Sequence, residues 1–276
     1  MVTPINNSGV LALQHGLGRN IQRFEQSAER LSTGLRINRG ADDPAGLISS
    51  EQLRAVLAAL DAETRVLQRQ DQAASTADGA LSEVSNVLVD TKALQVQLGD
   101  GALSASERDA IQVQIDANVQ SVDRIAASAG FNGFALFSGE VSLSYGGETL
   151  GLPRVDSATI GETDISGTSY TLADAASGGA LVGNIAAGDR VIDSALSDIA
   201  TLRGSIGAYQ ANTLRPALNS INVQIENTAE AESIIRDTDF AGEVAAFSRD
   251  ALLVEANIAF YGYVSSSSSR VLDLLA

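Results

Sequence analysis

Apolar side chains recur every three or four residues through most of this chain, a period that admits long helices and little else. Near the N-terminus they fall at Val10, Leu13, Leu17, Ile21, Phe24, Ala28, Leu31 and Leu35, which predicts a first helix over about Val10 to Leu35. A second run passes through Leu53, Leu57, Leu60, Leu67, Ala74, Ala77, Leu81, Val84 and Leu88 and ends near Leu98, at Gly99-Asp100-Gly101. Its 3.5-residue repeat implies left-handed packing against partner helices rather than a lone helix.

Between the two runs lies a stretch that no helix favours, Leu31-Ser-Thr-Gly-Leu-Arg-Ile-Asn-Arg-Gly-Ala-Asp-Asp-Pro-Ala-Gly46. Gly34, Gly40 and Gly46 loosen the backbone, Pro44 lacks an amide hydrogen, and Asn38, Asp42 and Asp43 offer oxygens that compete for backbone amides. Asp42 or Asp43, just before Pro44, reads as the N-cap of the next helix.

Ser104-Ala-Ser-Glu107 is a capping box that opens a third helix with Ile111, Ile115, Val119, Val122 and Ile125 on its buried stripe and Gly130 as its stop. The short connection makes the second and third helices antiparallel neighbours. From residue 131 to 179 the period changes. Phe131, Phe134 and Phe137 read as aromatic anchors, and the short alternating runs Val141–Tyr145 and Thr168–Leu172, punctuated by Gly146-Gly147 and Gly178-Gly179, read as hairpins packed on the helices. A fourth helix is expected from about Asp189 to Ile235. Its register steps between Tyr209 and Leu214, and Pro216 just beyond predicts a kink or break. Asp237 or Asp239 caps a last helix on which Phe240, Val244, Phe247, Ala251, Val254, Ile258 and Tyr261 keep heptad spacing; projected onward the seam takes Ser265 and Ser268, then Leu272 and Leu275.

The chain has no Cys and no Trp, and aromatic residues make up only 4% of it, which suits thin helical bundles packed by many small contacts and excludes disulfides and thiolate metal sites. A formal net charge of −16 argues against nucleic acid or anionic membranes as partners. Arg19, Arg23, Arg30, Arg36 and Arg39 make the first helix basic, whereas Glu226 onward is acidic, so the two ends are complementary in sign. Residues 1–9 read as a flexible leader without the features of a signal peptide, and no stretch is apolar enough to span a bilayer. His15, the only histidine, has no partner for a metal site. No phosphate-binding Gly loop and no nucleophile with a histidine base is present, so no catalytic, cofactor or metal residue is assigned.

The segment from Leu31 to Gly46, with its Arg36-Ile37-Asn38 core and Asp42-Asp43 pair, resembles the N-terminal signature of bacterial flagellins. Ile234-Ile-Arg-Asp-Thr-Asp-Phe240 is similar to the family's C-terminal signature, and Ile206-Gly-Ala-Tyr-Gln-Ala-Asn-Thr-Leu-Arg215 is flagellin-like, with Pro216 a departure. Hook–filament junction proteins carry a related N-terminal motif, but Phe131-Asn132-Gly133 favours flagellins.

The resemblance implies a mainly α fold: an elongated antiparallel helical bundle or coiled coil with a small β-hairpin region and no separate outer domain. It assigns residues 1–40 with 236–276 to an inner domain, 41–130 with 180–235 to a helical rod, and 131–179 to hairpins on the rod. It further implies a non-enzymatic subunit, secreted by type III export, that self-assembles into an extracellular filament for swimming. Implied partners are copies of itself or other flagellins, hook-associated proteins, a filament cap, and an export chaperone on the C-terminal helix. The alternatives are a hook-associated junction protein or a soluble helical adaptor. Residues expected to serve assembly are Leu17, Phe24, Leu31, Leu35, Arg36, Ile37, Asn38, Asp42 and Asp43 at one end. At the other they are Arg236, Asp237, Asp239, Phe240, Phe247, Ile258, Tyr261, Leu272 and Leu275, with Phe131, Asn132, Gly133 and Phe137 anchoring the hairpin region. The terminal stripes have few evident partners within the chain, so they are expected to be covered by other copies.

Overall fold

The computed structural model describes residues 8–176 and 179–275, with side chains described over 11–264 and at 266. Six α-helices are present among them: α1 (Ser8–Thr33), α2 (Pro44–Leu98), α3 (Ala105–Ser128), α4 (Ile185–Tyr209), α5 (Arg215–Arg236) and α6 (Phe240–Leu275). Of the expected leader, residues 1–7 lie outside the described residues, while Ser8 and Gly9 already belong to α1. The chain divides into two compact units, Met1–Leu60 with Gln224–Ala276, and Asp61–Val223.

In the unit formed by Asp61–Val223, the heptad positions of three helices meet. Leu67, Leu81, Val84 and Leu88 of α2, Ile115 and Val122 of α3, and Ile192, Ile199 and Ile206 of α4 are all below 2% exposed. Burying each of these side chains contributes roughly 1.5–3 kcal/mol before conformational entropy is counted. Helix α4 runs antiparallel to α2, as Lys92–Asp193, Asp78–Arg203 and Gln70–Tyr209 pair in opposite order along the two. Ser104 and Glu107 form the expected capping box. Gly130 does not stop α3: the helix ends at Ser128, and Gly130 opens a strand.

Six short strands form three hairpins: β1 (Gly130–Phe131) with β2 (Phe134–Ala135), β3 (Ser142–Tyr145) with β4 (Glu148–Gly151), and β5 (Thr163–Ile165) with β6 (Thr168–Tyr170). Each closes through two residues of positive φ: Asn132 and Gly133, Gly146 and Gly147, Ser166 and Gly167. That pair of dihedrals twists the turn in the hand of the strands. Isolated two-stranded ribbons are marginal in water. These are tied to the helices: the Tyr145 hydroxyl donates to Glu63 (2.9 Å), Gln70 donates to the Ser144 carbonyl (3.0 Å), and the Gly161 amide donates to Asp198 (2.9 Å). Of the three expected aromatic anchors, Phe137 is buried and Phe131 half-buried, but Phe134 is 68% exposed. Of the Gly178-Gly179 pair, Gly178 lies outside the described residues.

Helix α4 starts at Ile185 with Asn184 as its cap, one turn earlier than the sequence suggested. The register step has a physical form: buried Tyr209 and Leu214 are five residues apart because Gln210–Leu214 is a π-helical turn, with the Arg215 amide donating to the Gln210 carbonyl. Pro216 follows directly on the π turn, where the regular helical bonding is already interrupted.

The other unit contains α1, α6, the start of α2 and the end of α5. Helices α1 and α6 lie antiparallel: Gln14 meets Tyr261, Phe24 meets Phe247, and Ser27 meets Glu243. The sequence reading gave these two helices few partners inside the chain while noting that its ends are complementary in sign; in the structure each covers one face of the other.

Candidate functional site

Two features of the unit Met1–Leu60 with Gln224–Ala276 bring together the segments singled out in the sequence: the α1–α6 pair and the linkers at its end. Along α1, the side chains turned toward α6 are Leu13, Leu17, Asn20, Phe24, Ser27 and Leu31, all half-buried or buried. Along α6, they are Glu243, Phe247, Asp250, Val254, Asn257 and Tyr261. Both are heptad seams, but not the ones read from hydrophobicity. They share Leu13, Leu17, Phe24, Leu31, Phe247, Val254 and Tyr261 with the expected seams and replace the other column by polar residues one position away.

Ser27 is 5% and Asp250 3% exposed. The Ser27 hydroxyl donates to Glu243 Oε1 at 2.5 Å, and Arg30 stands 3.6 Å from the other oxygen of the same carboxylate. Phe24 and Phe247 stack with ring centroids 4.7 Å apart. Turning the polar column inward turns an apolar column outward: Ile21 (37%), Phe240 (53%), Val244 (50%) and Ile258 (56%) are exposed. Phe24, Ala251, Val254 and Ile258 also line a surface notch of about 240 Å³ beside this column.

Sequence reasoning missed Asn20, Ser27, Glu243, Asp250 and Asn257. The available signal was their own seven-residue spacing, which hydrophobicity counting ignores. The side chains of Leu272 and Leu275, and of Ser265 and Ser268, lie outside the described residues.

The linkers form a clasp. Gly34 ends α1 with φ 74°, a conformation that suits glycine, and its amide donates to the Arg30 carbonyl at 2.8 Å. Leu35 and Asp237 then form an antiparallel bridge, with the Arg36 amide donating to the Arg236 carbonyl (2.7 Å) and the Thr238 amide to the Gly34 carbonyl (2.9 Å). The Arg36 guanidinium reaches the Ile235 carbonyl at 2.5 Å, and Arg236 donates to Glu51 at 3.1 Å. Ile37 is wholly buried, against Gly46, where an added Cβ would stand 2.8 Å from its Cδ1.

The acids divide their roles. Asp43 caps α2, accepting from the Gly46 amide at 2.8 Å, and Asp239 caps α6 by accepting from the Ala241 and Gly242 amides. Asp42 instead accepts from the Arg39 and Asn38 amides at 2.9 and 3.1 Å; the Arg39 amide is the chief cause that holds its carboxyl below the ordinary value, against partial desolvation. Asn38 donates to the Leu35 carbonyl at 2.8 Å, and Asp237 accepts from Ser233 at 2.6 Å. Most of these hydrogen bonds fix the backbone of the two linkers, while the buried Arg236 Nε and Thr238 Oγ1 make none among the described residues. Among the described residues there is no cluster of three or more metal-ligating side chains, and no helix is long and apolar enough to cross a membrane.

In the other unit, Asn132 and Gly133 form the exposed tip of the first hairpin, while Phe131 is half-buried and Phe137 buried.

Known proteins resemble this chain over most of its length. Residues 5–142 match the bacterial flagellin N-terminal helical region, and residues 190–275 match the bacterial flagellin C-terminal helical region. The flagellar filament 30.7 kDa core protein of Treponema maltophilum is 30% identical, over 94% of this chain and 95% of that protein. A flagellin of Bacillus subtilis is 29% identical, over 98% of each. A solved structure of a putative flagellar hook-associated protein from Vibrio parahaemolyticus superposes with a TM-score of 0.59 over 71% of this chain and 99% of that one; at 14% identity the likeness speaks to the fold alone. The junction-protein reading is therefore the less supported one. The chain belongs to the bacterial flagellin family, as a structural, non-enzymatic subunit of the flagellar filament.

Proposed function

We propose that the α1–α6 pair is the inner part of the subunit, covered in the filament by the same pair of neighbouring copies. The carrying observation is the outward apolar column: Val244 and Ile258 are half exposed or more, while Ser27 and Asp250 of the polar column beside them are buried within the chain and its other members half-buried. A helix pair that hides Ser27, Glu243 and Asp250 and presents valine and isoleucine to solvent has an unfilled demand for apolar surface. A contact of this kind between different faces of successive copies gives an open helical polymer.

In this reading residues 1–40 with 236–276 form the inner domain, 41–130 with 180–235 the rod, and 131–179 a hairpin region without a separate outer domain. The chain is secreted through type III export, the C-terminal helix is held by an export chaperone beforehand, and the extracellular filament contacts hook-associated proteins at its base and a cap at its tip. The test is the double variant Val244→Glu with Ile258→Glu. Both positions are exposed in the monomer, so helicity by circular dichroism stays unchanged while elongation from sheared filament seeds is lost. Elongation at the unmodified rate overturns the reading, and a fixed small complex in sedimentation with no growth points to an adaptor instead.

A further inference from the structure

Among the asparagines of the chain, Asn132 alone is followed by glycine. The pair makes the two-residue turn between β1 and β2, with φ of 52° at Asn132 and 85° at Gly133, and both residues are exposed. Neither the Asn132 carboxamide nor the Gly133 amide makes a hydrogen bond among the described residues. A Cβ added at Gly133 would meet nothing within 4 Å, so the turn has open space in which to move. The strands below it pair only as Gly130 with Ala135 and Phe131 with Phe134. A ribbon of that length opens readily, and the turn leaves its resting dihedrals when it does.

The other asparagines are held differently. Asn20, Asn86, Asn118 and Asn257 lie inside helices, where the following amide is committed to the helical ladder. Asn38 donates to the Leu35 carbonyl and is followed by arginine; Asn184 accepts from the Ala187 amide and is followed by isoleucine.

A carboxamide beside an unengaged amide, with no side chain on the glycine to obstruct their approach, holds both reactants of an intramolecular displacement. The Gly133 nitrogen bonds to Asn132 Cγ, the Cγ–Nδ2 bond breaks, and Nδ2 leaves as ammonia with the proton lost from the Gly133 amide. Water then opens the five-membered imide at one of its two carbonyls. One opening leaves aspartate, the other isoaspartate, whose main chain runs through Cβ. The chain's own atoms and water are the only reactants.

We infer that Asn132 is a site of spontaneous conversion to aspartate and isoaspartate, and that the first hairpin ages by this route. Aspartate keeps the turn, because it tolerates a left-handed φ as asparagine does. Isoaspartate adds a main-chain carbon to a two-residue loop and undoes the pairing of Phe131 with Phe134. Both rings line a groove of about 450 Å³ together with Asn132 and Val66 of α2, so the change reshapes that surface and gives it a new negative charge.

The test incubates the purified folded chain at mildly alkaline pH, where the Gly133 amide gives up its proton more readily, and maps every asparagine by peptide mass spectrometry. Labelling by an isoaspartyl carboxyl methyltransferase is the second readout. Asn132 is expected to convert at least about tenfold faster than any other asparagine of the described residues, with isoaspartate the larger product. Gly133→Ala slows the conversion about tenfold, since the added methyl hinders approach of the nitrogen. Asn132→Gln abolishes the label at this position, and helicity by circular dichroism stays unchanged in both variants. A folded chain in which Asn132 converts no faster than the helical asparagines overturns the inference, even if the chain unfolded in urea converts there. Conversion undiminished in Gly133→Ala overturns it as well.

Discussion

The hydroxyl of Ser27 on α1 donates to the carboxylate of Glu243 on α6, 216 residues away in sequence, at 2.5 Å. This bond sets the register of the terminal helix pair, because a shift of either helix by one turn would bury Glu243 against apolar side chains. A buried polar contact that adds little net stability still discriminates among registers, since the alternatives leave a charge unpaired.

Ser27→Ala removes that donor and leaves Glu243 with Arg30 alone. The expected loss is about 1–2 kcal/mol of local stability. Hydrogen exchange reads it as faster opening of α1 and α6, with α3 and α4 unchanged. Equal loosening of both units would show that the pair is not a separate element.

Arg36 holds the end of α5 through the Ile235 carbonyl and stands 3.7 Å from Asp43. Arg36→Ala is expected to destabilise the clasp by about 1 kcal/mol and to speed proteolysis within residues 34–43 and 236–239. Arg36→Lys recovers only part, because a single ammonium does not serve a carbonyl and a carboxylate as a planar fork does.

Asp42 titrates below the ordinary carboxylate value in the folded chain, chiefly because the Arg39 amide donates to it. A depressed carboxylate contributes stability that is fully present above the unfolded value near 4 and is lost as pH falls through the lower folded value. Acidification below about pH 4 should therefore shift the Asn38 and Arg39 amide resonances, and Asp42→Asn should abolish that titration.

Gly161 has φ 77°, and a Cβ there would stand 2.7 Å from the Val191 carbonyl. Gly161→Ala combines backbone strain with a clash against α4, so thermal unfolding of the unit Asp61–Val223 should move down by the equivalent of about 2–3 kcal/mol. An unchanged melt would mean that the hairpin region does not dock on α4 in solution.

The sequence alone determined the helices, since the apolar period of α2, α3 and α4 requires burial on one face and Leu67, Leu81, Ile115 and Ile199 obey it. It also marked the caps, Ser104 outright and Asp42 or Asp43 and Asp237 or Asp239 as pairs of which the structure uses Asp43 and Asp239, and it marked the Gly146-Gly147 turn but not the one at Asn132-Gly133. Only the tertiary structure decided which of two adjacent heptad columns faces inward. Hydrophobicity favours Val244 and Ile258 for an inner seam, yet Glu243, Asp250 and Asn257 are turned in, because Ser27 and Arg30 across the interface satisfy Glu243. Periodicity carries the spacing of a helix face but not the identity of its partner, and it is the partner's chemistry that selects the face.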